Sequence, residues 1–164
     1  MVPVLVVTFA VLLHRPDPPP PGYRFPRPAD VTGDWATFRA TAPEPFHVRD
    51  DFDGDGSQDD GWLLLSESED RWAFFVARGA RSGQLHWEML ESGLGPVQEF
   101  GLEIVRPGRY KTACGKGYFE CAVDETDELR LKRPAIDFFM FESSSTFYWW
   151  DSGRKAWRKT RISD

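Results

Sequence analysis

Between Asp50 and Asp60 the chain reads Asp-Asp-Phe-Asp-Gly-Asp-Gly-Ser-Gln-Asp-Asp, so six of eleven residues are aspartates. Like charges at neighbouring positions destabilise helices and sheets alike. The stretch is therefore an exposed turn, and its carboxylates need a counter-charge. Gly54 and Gly56 let the backbone curl through conformations that larger residues resist. Gly61-Trp62-Leu63-Leu64-Leu65 follows at once. The acidic turn thus opens directly into an apolar strand, with no helix before it.

The spacing of the acids is that of a cation loop. Asp51, Asp53, Asp55 and Asp59 stand at positions 1, 3, 5 and 9 of a calcium loop, with Gly56 at the sixth position, where the chain turns sharply. Calcium takes about six to eight oxygen ligands at about 2.3–2.6 Å. Alternate aspartates supply several of them. Ser57, at the seventh position, offers its backbone carbonyl, and Asp59 coordinates directly or through water. An EF-hand also requires Glu at position 12, where this chain has Trp62.

The loop instead resembles the calcium loop of FG-GAP and VCBS repeats, in which D-x-[DN]-x-[DN]-G-x-x-D opens straight into an apolar strand. That resemblance implies calcium as the cofactor and Asp51, Asp53, Asp55, Ser57 and Asp59 as its ligands. Those families stack several copies into a propeller. Here the loop occurs once and covers less than a tenth of the chain, so the propeller is not implied. The alternative is a solvated acidic turn that uses Asp-Gly for its geometry.

The rest of the chain carries strand signals. Trp62–Leu65 and Trp72–Ala77 are apolar runs separated by the turn 66–70. Leu85, Trp87 and Met89 alternate with Gln84, His86 and Glu88, and a loop is expected over 91–96. Phe100, Leu102 and Ile104 alternate next. Short strands follow at 109–113 and around Leu129 and Leu131. Ile136–Phe141, Phe147–Trp150 and Lys155–Ile162 close the chain, the last two as a hairpin around Asp151-Ser152-Gly153. One or two helical turns fit Asp34–Ala40. Seven to nine short strands predict an all-β fold with a minor helix, a single antiparallel β-sandwich or small barrel domain.

At 164 residues one folded domain is expected. Residues 1–15 form an apolar signal-like or anchor segment. The run is too short to span a bilayer and suits the core of a signal peptide, although no basic residue precedes it and no small-x-small site follows before Arg15. Residues 16–30 are a proline-rich linker, and 31–164 the β domain. A net charge of −6 argues against nucleic acid as a partner. Cys114 and Cys121 can close a small disulfide loop in an oxidising compartment, or remain two thiols. The expected location is periplasmic or secreted. The strings Tyr110–Tyr118, Phe141–Ser145, Tyr148–Asp151 and Ile162–Asp164 also look like those of small bacterial proteins without an assigned activity, which implies a bacterial exported protein and no mechanism.

Catalytic signals are weak. His14 precedes the linker, His86 faces away from its apolar side, and His47 is near the acidic turn, but nearness in sequence makes no triad. No nucleophile elbow, zinc-protease helix or P-loop occurs. Glu142 is the carboxylate to test for glycan hydrolysis, against a plain surface glutamate at a strand end. Trp149 and Trp150 point to opposite faces of their strand, so one is a candidate for sugar or protein contact, as is Trp157. The leading expectation is a non-enzymatic, calcium-binding, exported module that engages a protein partner, as an immunity or inhibitor protein. The alternative is a carbohydrate-binding module or glycan hydrolase of the cell envelope. Membrane contact is expected only through the N-terminal apolar segment.

Overall fold

The computed structural model describes residues 18–68, 70–79, 83 and 85–163. The expected segment 1–15, with His14, lies outside the described residues, as do Gln84 and Asp164. Eleven strands appear among the described residues, more than the sequence predicts: β1 Tyr23–Arg24, β2 His47–Asp50, β3 Asp59–Ser66, β4 Arg71–Arg78, β5 His86–Leu94, β6 Phe100–Val105, β7 Gly108–Lys111, β8 Glu128–Leu131, β9 Ala135–Met140, β10 Ser145–Asp151 and β11 Ala156–Ser163. One short helix, α1, spans Gly33–Thr37.

The strands form two principal antiparallel sheets that do not close into a barrel. The first has the order β1-β3-β4-β5. Strand β2 lies on the same edge of β3 as β1, at the opposite end. The second has the order β11-β10-β9-β6, and β7 and β8 form a separate hairpin. Leu63, Trp72, Phe74 and Val76 of the first sheet pack against Leu102, Ile136 and Tyr148 of the second. Each such side chain contributes about 1.5–3 kcal/mol when fully buried. Aromatic rings dominate the interface: Phe138 stacks on Phe74 at 5.7 Å and on Phe100 at 5.2 Å, and Trp72 meets Phe100 at 4.6 Å. Trp35 of α1 is fully buried at the edge of this core, and its Nε1–H donates to the Phe100 carbonyl at 2.7 Å.

Both outer faces are partly covered, which explains why several strands are apolar without alternation. On the first sheet, Leu64, Ala73 and Phe75 point outward and are covered by Tyr23 and Phe25. The second half of the proline-rich stretch is thus part of the fold. Strand β1 pairs with Leu65 and Ser66, and Arg24 grips Asp30 through two hydrogen bonds of 2.7 and 2.9 Å. On the second sheet, Val105, Phe147 and Ile162 lie beneath Leu129 and Leu131 of β8.

Strand β5 departs from simple alternation. A bulge opposite Phe74 and Phe75 shifts the register, so Trp87 faces outward beside Phe75, Leu90 turns into the core and Met89 is 47% exposed. The strand also runs on to Leu94, through most of the stretch expected to be a loop. Cys114 and Cys121 form a disulfide with a Cα–Cα distance of 5.0 Å. Such bonds persist in oxidising, non-cytoplasmic compartments. Among the described residues no helix is long and apolar enough to cross a membrane.

Candidate metal centre

The acidic turn is the loop of the β2–β3 hairpin, entered from Asp50 and left at Asp59, which pair across the two strands. Its conformation follows from side-chain-to-backbone hydrogen bonds, which Asp favours in turns. Asp51 Oδ1 accepts the Gly54 N–H at 2.7 Å, and its Oδ2 accepts the Gly56 N–H at 3.1 Å. Asp53 Oδ1 accepts the Asp55 N–H at 3.0 Å. Gly54 has φ +78°, and a Cβ there would collide with the Arg133 guanidinium, so this position requires glycine.

Asp59 anchors the loop. It is fully buried, and three backbone N–H groups donate to it: Phe52 at 3.0 Å and Asp53 at 3.3 Å to Oδ2, and Gly79 at 2.9 Å to Oδ1. Phe52 is itself fully buried in the main core. Burial, reinforced by the Asp53 charge, raises the Asp59 pKa to about 6, against the opposing pull of the three N–H donors.

Carboxylate oxygens of Asp51, Asp53 and Asp59 lie within 4.8 Å of one another. Oxygens on opposite sides of a calcium ion are separated by about twice its 2.3–2.6 Å bond length, so this span fits a shared ion. Each carboxylate retains lone pairs beyond the N–H bonds it accepts. The donor set fits a hard cation. Asp55 is not among the converging carboxylates, although the spacing predicts it as a ligand. Its Oδ1 accepts the Ser57 N–H at 2.6 Å. Ser57 holds its place at the loop's seventh position through that same bond.

Two arginines that local sequence reasoning misses flank the loop. Arg78, on β4, approaches Asp53 Oδ2 at 3.5 Å and lies over the Trp150 ring at 4.5 Å. Arg133, between β8 and β9, donates to the Asp53 carbonyl at 2.9 Å and to Ser152 Oγ. It therefore ties the loop to the β10–β11 turn. Both are remote from the acids in sequence, so only the fold brings them there.

The other candidates are dispersed. Glu142 is exposed on the β9–β10 turn with φ +56°. His86 is exposed. His47 Nε2 lies 2.8 Å from Asp60 Oδ1, and its ring stacks on Trp62 at 3.7 Å. Trp150 and Trp157 pair across the β10–β11 hairpin on the face towards the first sheet, whereas Trp149 lies on the outer face with Phe147 and Leu129. Asp137, the one acid in the apolar run 136–141 and not a candidate from the sequence, is a part-buried residue on β9. Burial raises its pKa to about 6 and Glu103 adds to this, while the Ser145 hydroxyl, donating at 2.7 Å, opposes it. No protein-family model, curated protein or solved structure matches the chain.

Proposed function

We propose that the chain is an exported, non-catalytic β-sandwich module whose acidic loop holds one calcium ion, and that the ion braces the fold. The observation that carries this reading is the convergence of Asp51, Asp53 and Asp59 at the mouth of the β2–β3 hairpin. An all-oxygen donor set suits calcium, and a flexible loop suits it better than magnesium, which demands near-octahedral geometry and keeps several waters. A divalent ion would offset the mutual repulsion of the three carboxylates. Through Asp59 it would hold the backbone of buried Phe52 on one side and of Gly79 on the other. The Cys114–Cys121 disulfide supports export.

Three placements favour a binding module over an enzyme. Glu142 sits alone on a turn, His47 is committed to Asp60 and Trp62, and Cys114 is consumed in the disulfide. A protein-binding role, including that of an immunity or inhibitor protein, is favoured by the segment around the disulfide, where Tyr118 is 55% and Val123 fully exposed. Tyrosine is enriched at protein interfaces relative to the rest of the surface.

The metal reading is tested by thermal unfolding with calcium and with chelator. A ligand at about 100 times its Kd adds about 2.7 kcal/mol. The melting temperature then rises by several degrees in calcium, and Asp53→Ala abolishes the rise. A melting temperature indifferent to calcium and chelator would refute it.

A further inference from the structure

The outer face of the second sheet carries a groove. Two adjoining cavities of about 380 and 400 Å³ run along it between β8 and the β10–β11 hairpin, and both are lined by Arg130 and Trp149. Each is within the size range of small-ligand sites, about 300–1,000 Å³. Trp149 is fixed in place, because its Nε1–H donates to Thr160 Oγ1 at 3.1 Å. Its partly exposed indole therefore forms a rigid wall common to both cavities.

The charges of the groove are unequally satisfied. Glu128 is paired with Arg109 at 3.3 Å, Glu125 accepts the Ala122 N–H at 3.2 Å, and Asp151 accepts the N–H groups of Gly153 and Arg154. Asp124 is the one groove acid outside these contacts. By contrast, Arg130, Arg158 and Lys132 have no ion-pair partner among the described residues. In a chain of net charge −6, this groove gathers six basic side chains against four acidic ones. A guanidinium is a fork that matches a carboxylate, and an indole face offers apolar area to the C–H face of a pyranose ring.

We propose that this groove binds an extended saccharide bearing carboxylates, such as a uronate chain, with a sugar face on Trp149 and carboxylates on Arg130 and Arg158. The inference rests on the reading of the chain as a non-catalytic binding module and names its ligand class. An acidic peptide fits less well. One way a peptide docks on a sheet is by adding a strand at a free edge. At the end of β11 that edge is taken, since the Ala113 N–H bonds the Arg161 carbonyl at 2.9 Å and Lys116 Nζ bonds the Ile162 carbonyl at 2.8 Å.

The test titrates the intact chain with a galacturonate trimer, a neutral galactose trimer and a short poly-glutamate, followed by tryptophan fluorescence and calorimetry. The galacturonate trimer is expected to bind saturably. Arg130→Gln and Arg158→Gln are each expected to weaken it by about tenfold, with an unchanged melting temperature, as for the loss of one charge-assisted contact. The neutral trimer is expected to bind at least about tenfold more weakly. Absence of galacturonate binding at millimolar concentration would overturn the proposal. So would equal binding of the neutral trimer, or poly-glutamate binding of equal strength that depends on the same arginines. Calcium-dependent melting is read separately in the same samples, so failure of the groove and failure of the metal reading give different results.

Discussion

Replacing Asp59 by Asn measures how much of the fold hangs on one buried carboxylate. Asp59 receives three backbone N–H groups on two oxygens. Asn offers one acceptor oxygen. If that oxygen keeps the Phe52 and Asp53 N–H groups, the amide NH₂ faces the Gly79 N–H and one buried donor goes unpaired. That costs about 1–3 kcal/mol. Relief of the buried charge, whose cost shows in a pKa raised to about 6, returns part of this. At neutral pH the two effects are of similar size, so the expected net loss in chelator is only about 0–1 kcal/mol. Asp59→Ala strands all three donors and opens a cavity, so about 3–5 kcal/mol is expected. Urea unfolding followed by the fluorescence of the seven tryptophans reads both values. In calcium the gap to the native chain widens for both variants, because neither keeps the full ligand set. An Ala variant as stable as the native chain in chelator would refute the anchoring role of Asp59.

Two further outcomes follow from other parts of the sandwich. Asp137 has a folded-state pKa raised to about 6, above the ordinary 3.8, so the fold holds an extra proton between those values. Its contribution to stability falls as pH rises through that window, and the cost of burying the charge is fully present above it. Asp137→Asn should therefore flatten the pH dependence between about pH 4 and 6 and raise stability at neutral pH by about 1–3 kcal/mol. Urea midpoints across pH check this, and an unchanged slope contradicts it. Reducing the disulfide, whose cysteines are seven apart in sequence, should cost about 2.5 kcal/mol from loop entropy. Melting with and without reductant reads the change.

Strand order and layer pairing were only partly legible in the chain. The alternation of Phe100, Leu102 and Ile104, and the hairpin around Asp151-Ser152-Gly153, rest on local rules and appear as expected. The expectation for β5 failed at a bulge, because the extra residue is dictated by pairing with β4 and leaves no mark of its own in a period-two pattern. The strand at Tyr23–Arg24 was hidden by the prolines around it, and only its partner at Leu65–Ser66 reveals it. The acidic loop was legible because its chemistry lies within nine consecutive residues. Even there, the spacing names Asp55 as a ligand along with the others, whereas the carboxylates that converge are those of Asp51, Asp53 and Asp59. Arg78, Arg133 and the Trp149 groove depend on contacts between distant segments, which no window of sequence contains.

The metal claim is tested most directly by calorimetric titration of the chelator-treated chain with calcium. One saturable site per chain is expected, lost in Asp51→Ala and Asp53→Ala and largely retained in Asp55→Ala. The absence of saturable binding at millimolar free calcium in the native sequence would contradict the account.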